Sequence, residues 1–413
     1  MQYNGREKIV MDYLKESAFI PVQPPKKKLR YASVEPGPAY TDTLWDWDSY
    51  WYTYALKDIC ELFCSDADFD YPEKLETVRA VSVGNVLNFL DFQEKDGFVP
   101  IMLRADHDND MYAVRPNVQN THKPFLCQGA EMACLLKGNS DWLPIERLKM
   151  YLQYYRMNQY DERSGLYFWR DDVMIGGDNN PTVFGRPRNS AADLFLNAFL
   201  YAEYDAFLRI LKGRGENSPS LEAERDALGE SIRREMWDEG TGMFYSQDLL
   251  VQTYTTKDFH HGLPAFWNSM PLKIKQWGCY IPLACGIATR EQAKRMIRFY
   301  FQSALYSDYG IRTVAADEKM YNITPSGNPS NWLGAIWTVS NYILFRGMLR
   351  YGFVEEAEII KDQTFNYLAR DIESFGSMSE SYHPDTGNGI LHHNFFSWNC
   401  LAASMLKDLK DIT

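Results

Sequence analysis

The 413-residue chain carries ordinary shares of hydrophobic (45%) and charged (24%) side chains, enough for one large domain or for two or three average ones. Its formal net charge of −12 excludes a nucleic-acid backbone or an anionic membrane surface as partner, because both need clustered Lys and Arg to neutralise phosphates. Aromatic residues reach 15%, more than a core needs, and rings in that excess suit the lining of a binding cleft.

From the N-terminus, the segment 3–16 is amphipathic and charged, without the apolar stretch and small-residue cleavage site of a signal peptide. No run of 18 apolar residues occurs anywhere in the chain, so no membrane span is expected. The seven cysteines are an odd number, and Cys60/Cys64 and Cys127/Cys134 sit at helical spacing among apolar neighbours. Reduced, buried thiols in a cytoplasmic protein are therefore expected. Next comes Leu44-Trp45-Asp46-Trp47-Asp48-Ser49-Tyr50-Trp51, two acids wedged between three tryptophans. At a helix start Trp45 and Asp48 share a face, as do Asp46 and Tyr50. Such a face offers rings to stack on a flat apolar surface and carboxylates to accept hydrogen bonds from several hydroxyls, which suits a sugar ring. The same residues would serve equally as core rings and a helix cap.

The helical period then recurs at 50–64, 74–92, 123–137, 141–158, 190–208, 218–237, 275–286, 289–303, 332–351, 353–371 and 395–409, which with 3–16 makes about twelve helices. Thr289 is placed to cap the helix that follows it. Several helices pair through short breaks around Gly138, Gly286 and Gly352, whereas 93–122, 159–188, 238–274, 304–330 and 372–394 are long connections. Alternating short and long connections are what a closed ring of antiparallel helical hairpins requires. The expectation is an all-α fold, an (α/α)6 toroid in a single domain over 1–413, with 1–40 as an N-terminal extension packing on it; a bundle or solenoid is the rival. The long connections hold most of the acids, amides and tryptophans, and read as the rim of one site.

Three of these stretches sharpen the reading. Ile175-Gly176-Gly177-Asp178-Asn179-Asn180-Pro181 holds an acid in a turn. Asn331-Trp332-Leu333-Gly334-Ala335-Ile336-Trp337 and the run from Ser379-Glu380 through Gly387, closed by Phe396-Ser397-Trp398, complete the set. With Trp45 to Ser49, they resemble, in order, the motifs of glycoside hydrolase family 63, in particular its mannosylglycerate and glucosylglycerate hydrolase branch, with the trehalases as more distant relatives. The family patterns are W-x-W-D-S-x-F, S-G-x-D-N-S-P, W-R-G-x-x-W and E-x-Y-x-P-x-T-G followed by F-S-W.

The resemblance implies an inverting α-glycosidase acting on a small α-glucoside or α-mannoside: a glycosylglycerate, a disaccharide or a short oligosaccharide. By the same resemblance Asp178 is the general acid and Glu380 the general base, roughly 6.5–9.5 Å apart so that water fits between the base and the sugar. Tyr40, Trp45, Trp47, Asp48, Gln128, Asn179, Trp332, Gly334, Trp337 and Trp398 would surround the sugar, with no cofactor and no metal. The alternative is a catalytically inactive carbohydrate-binding toroid. Two departures bear on specificity: Leu333 stands where the family has arginine, and Gly176 and Asn180 replace the serines of the acid loop. Arg104, Arg115, Arg186 and Arg188 are the candidate replacement donors. The neighbours His260-His261 and His392-His393 point apart and make no natural metal pair, and His383 lies beside the expected base. Asp193, the rival acid, reads better as a partner of a helix N-terminus.

Overall fold

The computed structural model describes residues 3–106, 120–251, 266–324 and 330–412. Among them are twelve α-helices: α1 (Gly5–Ser17), α2 (Asp46–Phe63), α3 (Tyr71–Asp91), α4 (Leu126–Lys137), α5 (Ile145–Asn158), α6 (Leu194–Gly213), α7 (Pro219–Ser231), α8 (Ile281–Ala284), α9 (Arg290–Gln302), α10 (Thr338–Arg350), α11 (Val354–Phe375) and α12 (Leu401–Ile412). The even-numbered helices pack side by side from α2 through α12 and back to α2, closing an inner ring. Odd-numbered helices stand outside it: α3 against α2 and α4, α7 against α6, and α11 against α10 and α12. The fold is an (α/α)6 toroid.

Within the first forty residues, α1 takes the sixth outer position. Val10, Met11 and Leu14 are fully buried, the helix packs on α11 and α2, and Lys361 of α11 pairs with Glu7 at 2.7 Å. Its Asn4–Glu7 capping box satisfies two orphan donors of the first turn.

Local chemistry accounts for most boundaries. Thr289 and Gln292 form the capping box that opens α9, as its sequence suggests. Gly138, at φ +76°, lets α4 end in a left-handed turn that an ordinary side chain resists. One expectation is corrected. Residues 332–337 carry a helical spacing of apolar residues, yet α10 begins only at Thr338. Gly334 sits at φ +148°, and a Cβ there would lie 2.4 Å from the Tyr321 ring. The backbone is thus bent into a shape in which Trp332 and Trp337 stack face to face, 4.2 Å apart and 9° from parallel.

Every short connection follows an inner helix and every long one follows an outer helix, so all six inner helices begin at the end of the ring where the long connections gather. Strands of two or three residues, all paired antiparallel, brace those connections. One of them joins Thr43–Trp45 to Met102–Arg104 and delivers the chain into α2.

Asp46, the first residue of α2, fixes that entry. Its Oδ1 accepts from the Lys123 ammonium at 2.7 Å and its Oδ2 from the Lys123 backbone N–H at 2.8 Å, and both side chains are almost wholly buried. Removing one partner leaves the other charge buried and unpaired, which costs roughly 3–5 kcal/mol. Lys123→Met is expected to lower the unfolding free energy by that amount in urea titration with the m-value unchanged.

Candidate active site

The segments singled out in the sequence converge on a cavity at the long-connection end. Tyr40, Trp45, Trp47, Asp48, Asp178, Trp332, Glu380 and Trp398 line it, together with Pro36, Lys123, Met174, Gly176, Ser330 and Phe395. Trp47 forms its floor, its ring centroid 5.2 Å from Trp398, 5.5 Å from Phe195 and 5.7 Å from Trp332. Gly176 is required where it is: at φ +93° its missing Cβ would press on the Phe195 ring at 2.9 Å, so a side chain would push the acid loop off the floor.

Four residues expected around the sugar lie outside this lining. Asn179 works behind it: its side-chain oxygen accepts from the Trp332 backbone N–H at 2.7 Å and its amide donates to Asn331 at 3.1 Å. It clamps the acid loop to the Trp332 loop. Trp337 is fully buried behind Trp332 and donates to the Asn331 carbonyl, and Gly334 is spent on the backbone bend. Gln128 points away altogether, donating to the Pro124 carbonyl at 2.6 Å and lining a different cavity.

Three carboxyls share the cavity in different surroundings. Glu380 is 3% exposed and is ringed by donors: the Tyr40 hydroxyl lies 2.9 and 2.8 Å from its two oxygens, and His392 Nδ1 lies 2.8 Å from Oε2. The Glu380 carboxylate in turn raises the His392 pKa above its ordinary value, against a smaller opposing effect of burial. Trp398 donates its indole N–H to the Glu380 carbonyl at 3.3 Å, holding the loop that carries the acid. Asp178 is pushed up to about 6, chiefly by burial; the Ser330 hydroxyl and Lys123 pull it down and Glu380 pushes it further up. Asp48 is pushed up to about 8, again mainly by burial, although the Ser397 hydroxyl donates to it at 2.9 Å and Lys123 lies nearby. Burial disfavours a charged carboxylate, while donors aimed at one favour it. The cavity therefore holds two carboxyls of raised proton affinity, Asp178 and Asp48, beside a third, Glu380, that is hydrogen-bonded by a phenol and an imidazole.

The remaining sequence candidates fall elsewhere. Asp193 caps α6, accepting from Phe195 N–H at 3.1 Å and from the hydroxyls of Thr182 and Ser246. His383 accepts from the Asp385 backbone and His393 contacts the Ser379 hydroxyl, so of the adjacent pair 392–393 only His392 reaches Glu380. Arg186 pairs with Asp248 at 2.6 Å, Arg104 lies near Asp106, and Arg188 is exposed; none lines the cavity. Arg115 and His260-His261 lie outside the described residues. Lys123, a buried cation of the lining, was missed, because a lysine in Asn120-Thr121-His122-Lys123-Pro124 has no periodic or motif signal to mark it as buried.

The molecule was compared with known proteins. Over residues 139–399, well over half of the chain, it matches the family model of the mannosylglycerate hydrolase MGH1-like glycoside hydrolase domain. A curated mannosylglycerate hydrolase from Rubrobacter radiotolerans is 22% identical over 219 residues, 52% of this chain. That match spans 43% of the relative's length, less than half. Among solved structures, the GH63 mannosylglycerate hydrolase from Thermus thermophilus in complex with glucose superposes with a TM-score of 0.70 at 16% identity, covering 94% of this chain and 99% of that one. Neutral trehalase from Saccharomyces cerevisiae gives 0.63 at 16% identity, covering 92% and 74%. At such identities the superpositions establish the toroid alone. The family match takes in the Asp178 loop, the Trp332 loop and the Glu380 loop in one stretch, and the chain belongs to the mannosylglycerate hydrolase MGH1-like glycoside hydrolase family.

Proposed function

We propose that the protein is an inverting α-glycosidase acting on a small α-glucoside or α-mannoside, a glycosylglycerate, disaccharide or short oligosaccharide, with Asp178 as general acid and Glu380 as general base. The observation that carries this reading is a single aromatic-walled cavity holding a carboxyl pushed up to about 6 together with a carboxylate ringed by Tyr40 and His392. Protonated Asp178 gives its proton to the glycosidic oxygen as the bond to the anomeric carbon breaks. Glu380 takes a proton from the water that attacks the same carbon from the opposite face. The products are the free sugar with inverted configuration and the aglycone alcohol, and exchange with solvent resets the two carboxyls. Tyr40 and His392, in contact with its two oxygens, hold Glu380 in one orientation. Asp48, holding its proton, is placed to donate to a sugar oxygen, and Trp45, Trp332 and Trp398 offer ring faces to the apolar side of the sugar.

Leu333 leaves the Trp332 loop without the arginine of the family pattern, and among the described residues the cationic group in the lining, Lys123, is already paired with Asp46. Sugar and aglycone are decided by assay. Mannosylglycerate, glucosylglycerate, trehalose and a set of α-linked disaccharides are incubated with the enzyme and free sugar is measured. Hydrolysis of at least one is expected, with the β-anomer appearing first in proton NMR; binding without hydrolysis of any would overturn the reading in favour of a carbohydrate-binding toroid.

Asp178→Asn and Glu380→Gln are each expected to lower kcat by about 10² to 10⁴, the usual contribution of a positioned acid or base, with sugar affinity nearly unchanged in calorimetry. The acid must be protonated, and a raised pKa keeps it so up to about pH 6. The value of kcat/KM should therefore fall about tenfold per pH unit above that point, as an essential acid demands. Asp178→Asn should abolish this limb and Asp48→Asn should keep it; the reverse result would exchange the two roles.

A further inference from the structure

The ring has a second cavity, on the other side of its aromatic floor. At about 530 Å³ it is larger than the active site, at about 90 Å³. It lies between α2, α4, α6, α8 and α10, toward the ends where the inner helices finish. Trp47 and Trp51, one helical turn apart on α2, divide the two spaces. Trp47 faces the active site, Trp51 lines the rear cavity, and Phe125 touches both rings, at 6.5 and 5.6 Å.

Charged side chains of both signs line the rear cavity. Its carboxylates are all engaged: Glu61 with Lys57 and Lys407, Glu131 with Arg209, and Asp205 with Arg209 and Arg225. Lys57 is also held by Asp58. Arg346 and Arg350, four apart on one face of α10, form no direct ion pair among the described residues, although Arg346 feels the Asp408 carboxylate. Arg346 is half-buried with its guanidinium over the rings of Tyr54 and Tyr342, at 5.5 and 5.6 Å, a placement that fixes the plane of the group and leaves its N–H donors unspent. Cations near helix C-termini meet the negative end of the helix dipole, which accounts for their presence at this end of the ring. It does not account for Trp51. That side chain is 2% exposed and its indole N–H has no acceptor, an orphan of the kind that marks a missing partner. Unspent groups of the cavity are thus donors: one indole N–H and two guanidinium groups, beside the flat rings of Tyr50 and Tyr54.

We propose that this rear cavity binds a small organic or inorganic anion, its carboxylate or phosphate oxygens held by Arg346 and Arg350 and its body seated against Trp51 and Tyr54. The site is separate from the catalytic cavity and does not depend on the glycosidase reading. Inorganic phosphate and citrate are titrated calorimetrically into the full chain, with glycerol as the neutral control. Saturable binding at one site per chain is expected for at least one anion and none for glycerol.

Arg346→Met and Arg350→Gln should each weaken that binding on the order of tenfold or more, the loss of a charge-assisted hydrogen bond, with hydrolysis unchanged. Arg350 is exposed, so its variant keeps the test open if Arg346→Met fails to fold. Asp178→Asn should bind the anion as the wild type does. Absence of saturable binding by both anions, affinity that neither arginine variant changes, or equal binding of glycerol would each overturn the proposal.

Discussion

Trp47 is the point at which the active-site end of the ring is held together. It rises from the first turn of α2 and meets the entry to α4 through Phe125, the first turn of α6 through Phe195, the bent loop before α10 through Trp332 and the turn before α12 through Trp398. A ring of helices closed around an axis leaves a hole that must be filled, and here it is filled by large flat side chains that contribute burial area and edge-to-face contacts together. Because each of those rings stands at or near the end of a different long connection, the packing that fills the hole also fixes where those connections can lie.

The positions of the carboxyls follow from this packing. Trp332 is tied to the acid loop through Asn179, and Trp398 to the backbone of Glu380. Thus the same rings that form the floor hold the two catalytic candidates in one cavity. The floor also excludes water from one side of the site, and burial is the largest influence on both Asp178 and Asp48. Glu380 differs in its partners: Tyr40 and His392 aim their polar atoms at its two oxygens. The fold thus raises the proton affinity of two carboxyls in the cavity, Asp178 and Asp48, by taking them out of water.

The aromatic floor has a second consequence: it splits the axis of the toroid into two chambers. The front chamber lies where six inner helices begin and carries acids; the rear one lies where they end and carries arginines alongside Glu61, Glu131 and Asp205. Helix dipoles favour that arrangement at both ends, so the charge pattern of the interior is partly written by the topology itself.

Much of the ring was legible in the sequence. Twelve helical segments, the Thr289 cap and the alternation of short and long connections are local properties, set by side-chain period and turn chemistry within a few residues. The motif stretches also announced themselves, since tryptophans beside acids and glycines beside an acid are visible in the string. Which member of each motif faces the cavity was not visible. Trp332 and Trp337 look alike in sequence, yet the bend at Gly334, where the Tyr321 ring leaves no room for a Cβ, puts one at the lining and the other behind it. Gln128 sits among the expected residues in sequence but on the rear side of the floor in space. The hydrogen bonds from Tyr40 to Glu380 join residues 340 positions apart, and the buried Asp46–Lys123 pair spans 77. Periodicity and capping act over one or two helical turns and so fixed the elements. The raised proton affinities of Asp178 and Asp48 depend on burial, and the partners of Glu380 are brought from across the ring; both exist only once the ring has closed.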